Sequence, residues 1–396
     1  MKKWLATIFV LAGLVLVACG GGAGGLGNLA SGGDGGVGSG GTGISGGSVG
    51  YVAGFGSIYV NGTRYDISGV TPALADDTEL RLGMSVKVTG TVSADFSTGV
   101  ASSVESEVDA RGQVSNLSTS LGSMQVQGLN IATDSETVYD GVAGLGSLVN
   151  GDWVKVYGQV SGSDPLRASR IEKLSSAPSG LVMSGAISQL DKTHQQFTLG
   201  SLTINYASAA FTGAIDANSI SNGMVVRVRS STAPVAGVLT ASSIKLWYPL
   251  TLVEGAPLSV DGVIGAYAAP NSFKVLGYSV DASSATVSGG TVSTLANGVK
   301  VEVTGLVHNG ILVASSVVIR QIPGVAGPAR YTATGPIVQF VSAASFKVQG
   351  QAIDASGSVT YSGGTQAQLA NQVKVKVVGS HVVNGVLIAD TVTFNP

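Results

Sequence analysis

The chain has 396 residues, enough for several small domains. Charged residues make up only 11% and the formal net charge is −2, which excludes the broad basic footprint of a nucleic-acid binder or of a polybasic membrane-surface protein. An apolar fraction of 44% combined with 58 glycines predicts packed cores joined by many turns, in an all-β chain.

The first segment, MKKWLATIFVLAGLVLVA, places Lys2 and Lys3 before an apolar run from Leu5 to Ala18. That run is too short to span a bilayer comfortably and reads as an export signal over residues 1–18. Cys19 follows at once and is the chain's single cysteine. Leu16-Val17-Ala18-Cys19 resembles the lipobox of bacterial lipoproteins. The resemblance implies that Cys19 is lipidated and becomes the mature N-terminus, anchoring the chain in a membrane. With Gly20 rather than Asp behind the cysteine, it implies the outer membrane. An ordinary signal peptide followed by an unrelated cysteine is the alternative. With Cys19 consumed, no disulfide is available.

Residues 19–49 read as the lipidated cysteine and a Gly-rich flexible linker, since 17 of the 31 residues from Gly20 to Gly50 are glycine. GGGAGG at Gly20 and GGSVG at Gly46 match a dinucleotide fingerprint and a nucleophile elbow, but neither has the strand and helix that give those motifs meaning.

Beyond the linker the chain repeats itself. LANGVKVEVTG at Leu295 and LANQVKVKVVG at Leu369 have earlier copies at Leu80, Leu148 and Ile220. The turn position falls at Gly83, Gly151, Gly223, Gly298 and Gln372, in steps of 68, 72, 75 and 74 residues. In the fourth copy Val299, Val301 and Val303 alternate with Lys300, Glu302 and Thr304, a strand with one buried face. Asn309-Gly310 and Asn384-Gly385 are hairpin signals ahead of a closing strand. Gly305 is expected to end its strand at a bend. Each unit reads as five short strands with a variable stretch, expected to hold a helical turn, before the motif strand. The expected fold is a tandem array of about five small five-stranded barrel (OB-like) units, at residues 50–110, 111–175, 181–247, 258–321 and 331–396. A five-strand sandwich or open meander is the alternative.

GFGSIYVNGTRYDISG at Gly54, LRLGMSVKVTGTV at Leu80 and VASSVE at Val100 resemble a domain family of unknown function that occurs in tandem in lipoproteins of Gram-negative bacteria. The resemblance covers nearly everything from Gly50 onward and is closest in the first two copies. It implies the fold and the location and carries over no catalytic residue.

Chemistry-bearing residues are sparse. His194, His308 and His381 have no metal-ligand spacing, and His308 and His381 read as exposed strand ends. Asp76, Asp77 and Glu79, like Asp134, Glu136 and Asp140, read as solvated loops, because the glycine and distal glutamate of a calcium loop are missing. The central outward position of the motif strands holds Lys87, Lys155, Arg227, Glu302 and Lys376, which read as soluble outer faces, with a weakly basic stripe as the alternative. Trp153 and Tyr157 flank Lys155 on one outward face, the candidate ligand-stacking patch. Trp247 and Tyr248 read as a wedge between two units.

These features predict a lipid-anchored cell-envelope protein with a non-catalytic binding or structural role. Its expected partners are the membrane, through the lipid, and an envelope glycan or protein. No nucleic acid, cofactor or metal is expected. A hydrolase with a site between repeats is the alternative, and the sequence leaves open which side of the outer membrane the chain faces.

Overall fold

The computed structural model describes residues 45–160, 165–325, 327 and 330–396, which belong to one compact body. The expected signal segment and Cys19 lie outside the described residues. Among the described residues there is no α-helix, and so none long and apolar enough to cross a membrane.

The motif behaves locally as its sequence dictates. Val299, Val301 and Val303 are buried, and the strand Lys300–His308 pairs with Pro257–Ala269 on one side and Ile311–Gln321 on the other. Asn309-Gly310 closes the second pair as a two-residue turn with φ of 50° and 73°, the mirror-image geometry that matches strand twist. Gly305 does not end its strand. It lies inside it at a bulge, where a Cβ would stand 2.0 Å from the Val313 carbonyl oxygen. The variable stretch holds a short strand, Thr286–Ser288, and a single 3-10 turn, Val292–Thr294.

Inside this unit the pairing passes from Pro257–Ala269 through Ser272–Val275 and Tyr278–Asp281 to Ile311–Gln321, then to Lys300–His308 and back to Pro257–Ala269. Tyr278–Asp281 and Thr286–Ser288 both run parallel to the closing strand. The other units repeat such parallel rungs at separations of 30 to 35 residues.

The expectation of separate OB-like barrels is corrected by what happens between units. Gly47, Ser48 and Val49 run parallel to Leu258, Ser259 and Val260. Gly54 and Phe55 pair with Thr332 and Ala333, Val182 and Met183 with Arg111 and Ala110, and Tyr139 with Val383. A continuous sheet of 31 strands results, with four strands of the third unit (Ser188–Asp191, Gln196–Leu199, Leu202–Asn205 and Val238–Thr240) in a small sheet of their own, and the chain coils as a β-solenoid of about 10 turns rather than as a row of separate barrels. The physical reason is that each unit is too small to bury its second sheet face alone, so the faces meet. The apolar cores follow suit: Val49 packs in a cluster with residues of the second, third and fourth units, while Tyr157 and Val182 pack in one with the first and fifth.

The first described strand, Ser45–Tyr51, begins inside the stretch expected to be linker. Its glycines are what admit it. A Cβ on Gly46 would stand 2.3 Å from the Pro257 carbonyl oxygen, and one on Gly50 would stand 2.0 Å from Asn61 Oδ1.

Val301 is fully buried, so Val301→Asp puts an unpaired charge in the core. The expected outcome is loss of hydrogen-exchange protection in both Lys300–His308 and Ser45–Tyr51, with a lowered melting temperature. Melting like the parent chain would contradict the inward assignment, and exchange confined to the fourth unit would contradict the shared sheet.

Candidate functional site

Most of the charged residues that strand alternation points outward are not on the surface: Lys155, Arg227, Lys300 and Glu302 are buried. They meet in three buried ionic junctions where sheet faces of different units pack together. The first is centred on Glu136. Its carboxylate accepts from Lys300 Nζ at 2.9 Å, Arg320 Nη2 at 3.3 Å and the Tyr51 hydroxyl at 2.9 Å, and Arg330 Nη1 lies 3.6 Å away. Lys300 also reaches Asp134 at 3.3 Å. Arg330 bridges to Asp261 at 2.9 Å and Glu302 at 2.8 Å, with its guanidinium 3.7 Å from the centre of the Tyr51 ring. The Tyr331 hydroxyl donates to the Glu136 carbonyl at 2.5 Å, and the Gln159 amide donates to Asp261. Burial pushes the Glu136 carboxyl up, but Lys300, Arg330 and Arg320 outweigh it and hold the pKa at about 2. Burial pushes the Tyr51 and Tyr331 hydroxyls well above the usual phenol range.

The second junction joins the first three units. Asp109 is fully buried and accepts from Ser85 Oγ at 2.5 Å, Trp247 Nε1 and Arg227 Nη2 at 2.7 Å, and the Gly158 amide at 2.8 Å. Arg229 binds Asp76 at 2.7 Å and Glu107 at 2.9 Å, and Arg111 adds a contact of 3.0 Å to Asp76. Tyr248 accepts the Glu107 amide at 2.7 Å, and the Arg227 guanidinium stacks on its ring at 4.8 Å. Trp247 and Tyr248 thus serve as the wedge expected of them. In the third junction Asp77 takes Lys155 at 2.9 Å and the Tyr157 hydroxyl, and Lys155 also pairs with Glu172 at 3.1 Å. Asp140 binds both Arg170 and Arg81.

The candidate stacking patch is corrected by this arrangement. Tyr157 is 1% exposed, Lys155 is buried in its two ion pairs, and Trp153 is half-buried against the apolar core. The three residues lie on one strand as read, but the first unit's acidic loop covers that face. The basic stripe fails for the same reason. Arg227 and Glu302 are buried and Lys87 pairs with Glu105 at 3.3 Å, which leaves Lys376 facing solvent. The acidic clusters read as solvated loops reach the junctions instead, where buried Asp76 pairs with Arg111 and Arg229 and buried Asp134 with Lys300.

Among the described residues no group of three or more His, Cys, Asp or Glu side chains converges as metal ligands. His194, His308 and His381 are exposed and contact Asp191, Glu254 and Ser380 respectively. A cleft of about 260 Å³ opens where the first, second and fifth units meet, lined by Glu79, Arg81, Asp140, Arg170 and Lys347 among others.

Breaking a buried pair leaves an uncompensated charge. Lys300→Met is therefore expected to cost about 3–5 kcal/mol, read by chemical denaturation. A loss below about 1 kcal/mol, the scale of an exposed pair, would contradict the junction's burial. Glu136 also gives a pH signature. Its folded pKa lies below the ordinary carboxylate value of 4.5, so its contribution is present above that value and is lost as pH falls from about 4.5 towards 2. Glu136→Gln should lower stability at neutral pH and flatten that part of the acid limb. An acid limb identical to the parent's would rule out the assignment.

A family model described as a domain of unknown function, DUF5666, matches residues 111–172, 184–245, 261–318 and 334–393. The matched stretches are the second to fifth units. The first unit, expected with the second to show the resemblance best, lies outside them, so the match begins at residue 111 rather than at Gly50. A comparison with curated proteins finds no match. With more than half of its length in four tandem copies, the chain belongs to the DUF5666 family.

Proposed function

We propose that this protein is a lipid-anchored component of the bacterial outer membrane whose folded body has a non-catalytic binding or structural role. The observation that carries the reading is where the charge sits. The acidic and basic side chains that would otherwise do chemistry are engaged with one another between units, as at Glu136, Asp109 and Asp77. Groups fixed in this way hold a shape and are poorly placed to exchange protons with a substrate. The N-terminal sequence supplies the anchor: a charged start, a short apolar run and Cys19 directly behind Ala18. An envelope glycan or protein is the partner class that suits such a body.

An envelope hydrolase acting between repeats is the second reading, and the cleft lined by Glu79 and Asp140 is where it would act. Both carboxylates there are already paired, Glu79 with Arg81 at 3.2 Å and Asp140 with Arg81 and Arg170, which favours the structural reading.

The anchor is tested by Cys19→Ser in a Gram-negative host. The variant should lose metabolic labelling by palmitate and move from the outer-membrane fraction to the soluble fraction. A variant that stays with the membrane would contradict the lipoprotein reading.

A further inference from the structure

Four of the exposed large apolar side chains fall together. Leu252, Val253, Leu306 and Ile311 are 38%, 50%, 41% and 39% exposed. The backbone ties their segments to one another. Leu306 stands opposite Pro257 and Ile311 opposite His308, while the Gly255 amide donates to the Val307 carbonyl at 2.8 Å and the Val307 amide to the Ala256 carbonyl at 3.0 Å. The described chain begins at the same place. Ser45 and Gly46 line a cleft of about 240 Å³ together with Val253, Ala256, Pro257 and Val307. The charged residues set among the four apolar ones are Glu254 and His308, and they face each other at 2.9 Å. The Glu254 carboxylate is held by the His308 ring and the Asn309 amide, so its hydrogen bonds turn to the patch's own backbone and side chains.

We infer that this face is the one the folded body lays against the lipid surface that holds its N-terminus, with Leu252, Val253, Leu306 and Ile311 at the headgroup boundary. The inference rests on the lipoprotein reading above. An isolated patch of this size binds a membrane weakly, but a chain held at its N-terminus meets the surface at a high effective concentration. Ser45, the first described residue and so the one nearest Cys19 in the chain, lines the cleft beside the patch. The lack of a basic cluster suits a neutral or zwitterionic headgroup layer rather than an anionic one.

The test uses the full lipidated chain in vesicles of phosphatidylcholine and phosphatidylethanolamine. Cys19 is the only native cysteine, so a new thiol can be labelled alone once Cys19 is acylated. Val253→Cys reports on the patch. Asn271→Cys reports from beyond the opposite end of the 13-residue strand Pro257–Ala269, up to about 40 Å away. An environment-sensitive dye at position 253 should shift to the blue on vesicles and be several-fold less accessible to aqueous iodide than the dye at 271. Adding Leu252→Ser and Leu306→Ser should abolish that difference while the chain still floats with the vesicles. Equal quenching at both positions in a floating chain would overturn the face and leave the anchor standing. A chain that does not float would overturn the anchor and the inference with it.

Discussion

Glu136 carries a charge in a place where water cannot stabilise it. The cations that do so, Lys300 and Arg320, lie 164 and 184 residues further along the chain, and Arg330 lies beyond them. Tyr51 of the first unit donates to the same carboxylate, and Tyr331 of the fifth donates to its backbone. The loop of the second unit is therefore native only when the first, fourth and fifth units are in place around it. A carboxylate left there without its cations would cost several kcal/mol, so the constraint acts on assembly as much as on the finished fold.

Stability and choice of neighbour come from different residues. The apolar inner faces, rich in Val, Ile and Leu, drive each unit to collapse, and they are nearly alike from unit to unit. Faces so similar would pack in several orders. The charges differ instead: Lys155 meets Asp77, Arg227 meets Asp109, and Glu302 meets Arg330. A wrong neighbour would leave such groups buried and unpaired, a penalty larger than the small net gain of the right pairing. The ionic junctions thus set the order of packing, and the body they produce is suited to presenting a fixed surface.

Much of this was legible in the sequence, and the parts that were not share one cause. The period of the motif, the inward valines at 299, 301 and 303 and the hairpin at Asn309-Gly310 are local properties, and each follows from spacing. The wedge of Trp247 and Tyr248 was readable because two large aromatics at a Pro-bearing joint need cover. The burial of Lys155, Arg227 and Lys300 was not readable, because a charge on alternate strand positions ordinarily faces water. Only the neighbouring unit reverses that, and its acidic residues stand far away in the chain. One signal was present: the acidic clusters at Asp76 and Asp134 precede the motif strands that carry cations, in comparable places in two copies. The strand Ser45–Tyr51 was hidden because a glycine-rich segment reads as linker until close backbone approach explains its glycines. At the candidate site the sequence supplied the residues Trp153, Lys155 and Tyr157 on one face but not the loop that covers that face.

The central claim is that buried ionic junctions and a shared sheet make the five units one cooperative body. Differential scanning calorimetry of the Cys19→Ser chain at neutral pH tests it most directly. The account predicts a single transition in which calorimetric and van't Hoff enthalpies agree, with a total of roughly 250 kcal/mol at about 0.7 kcal/mol per ordered residue. Several resolved transitions, each with about one fifth of that enthalpy, would show five units unfolding independently and would contradict it.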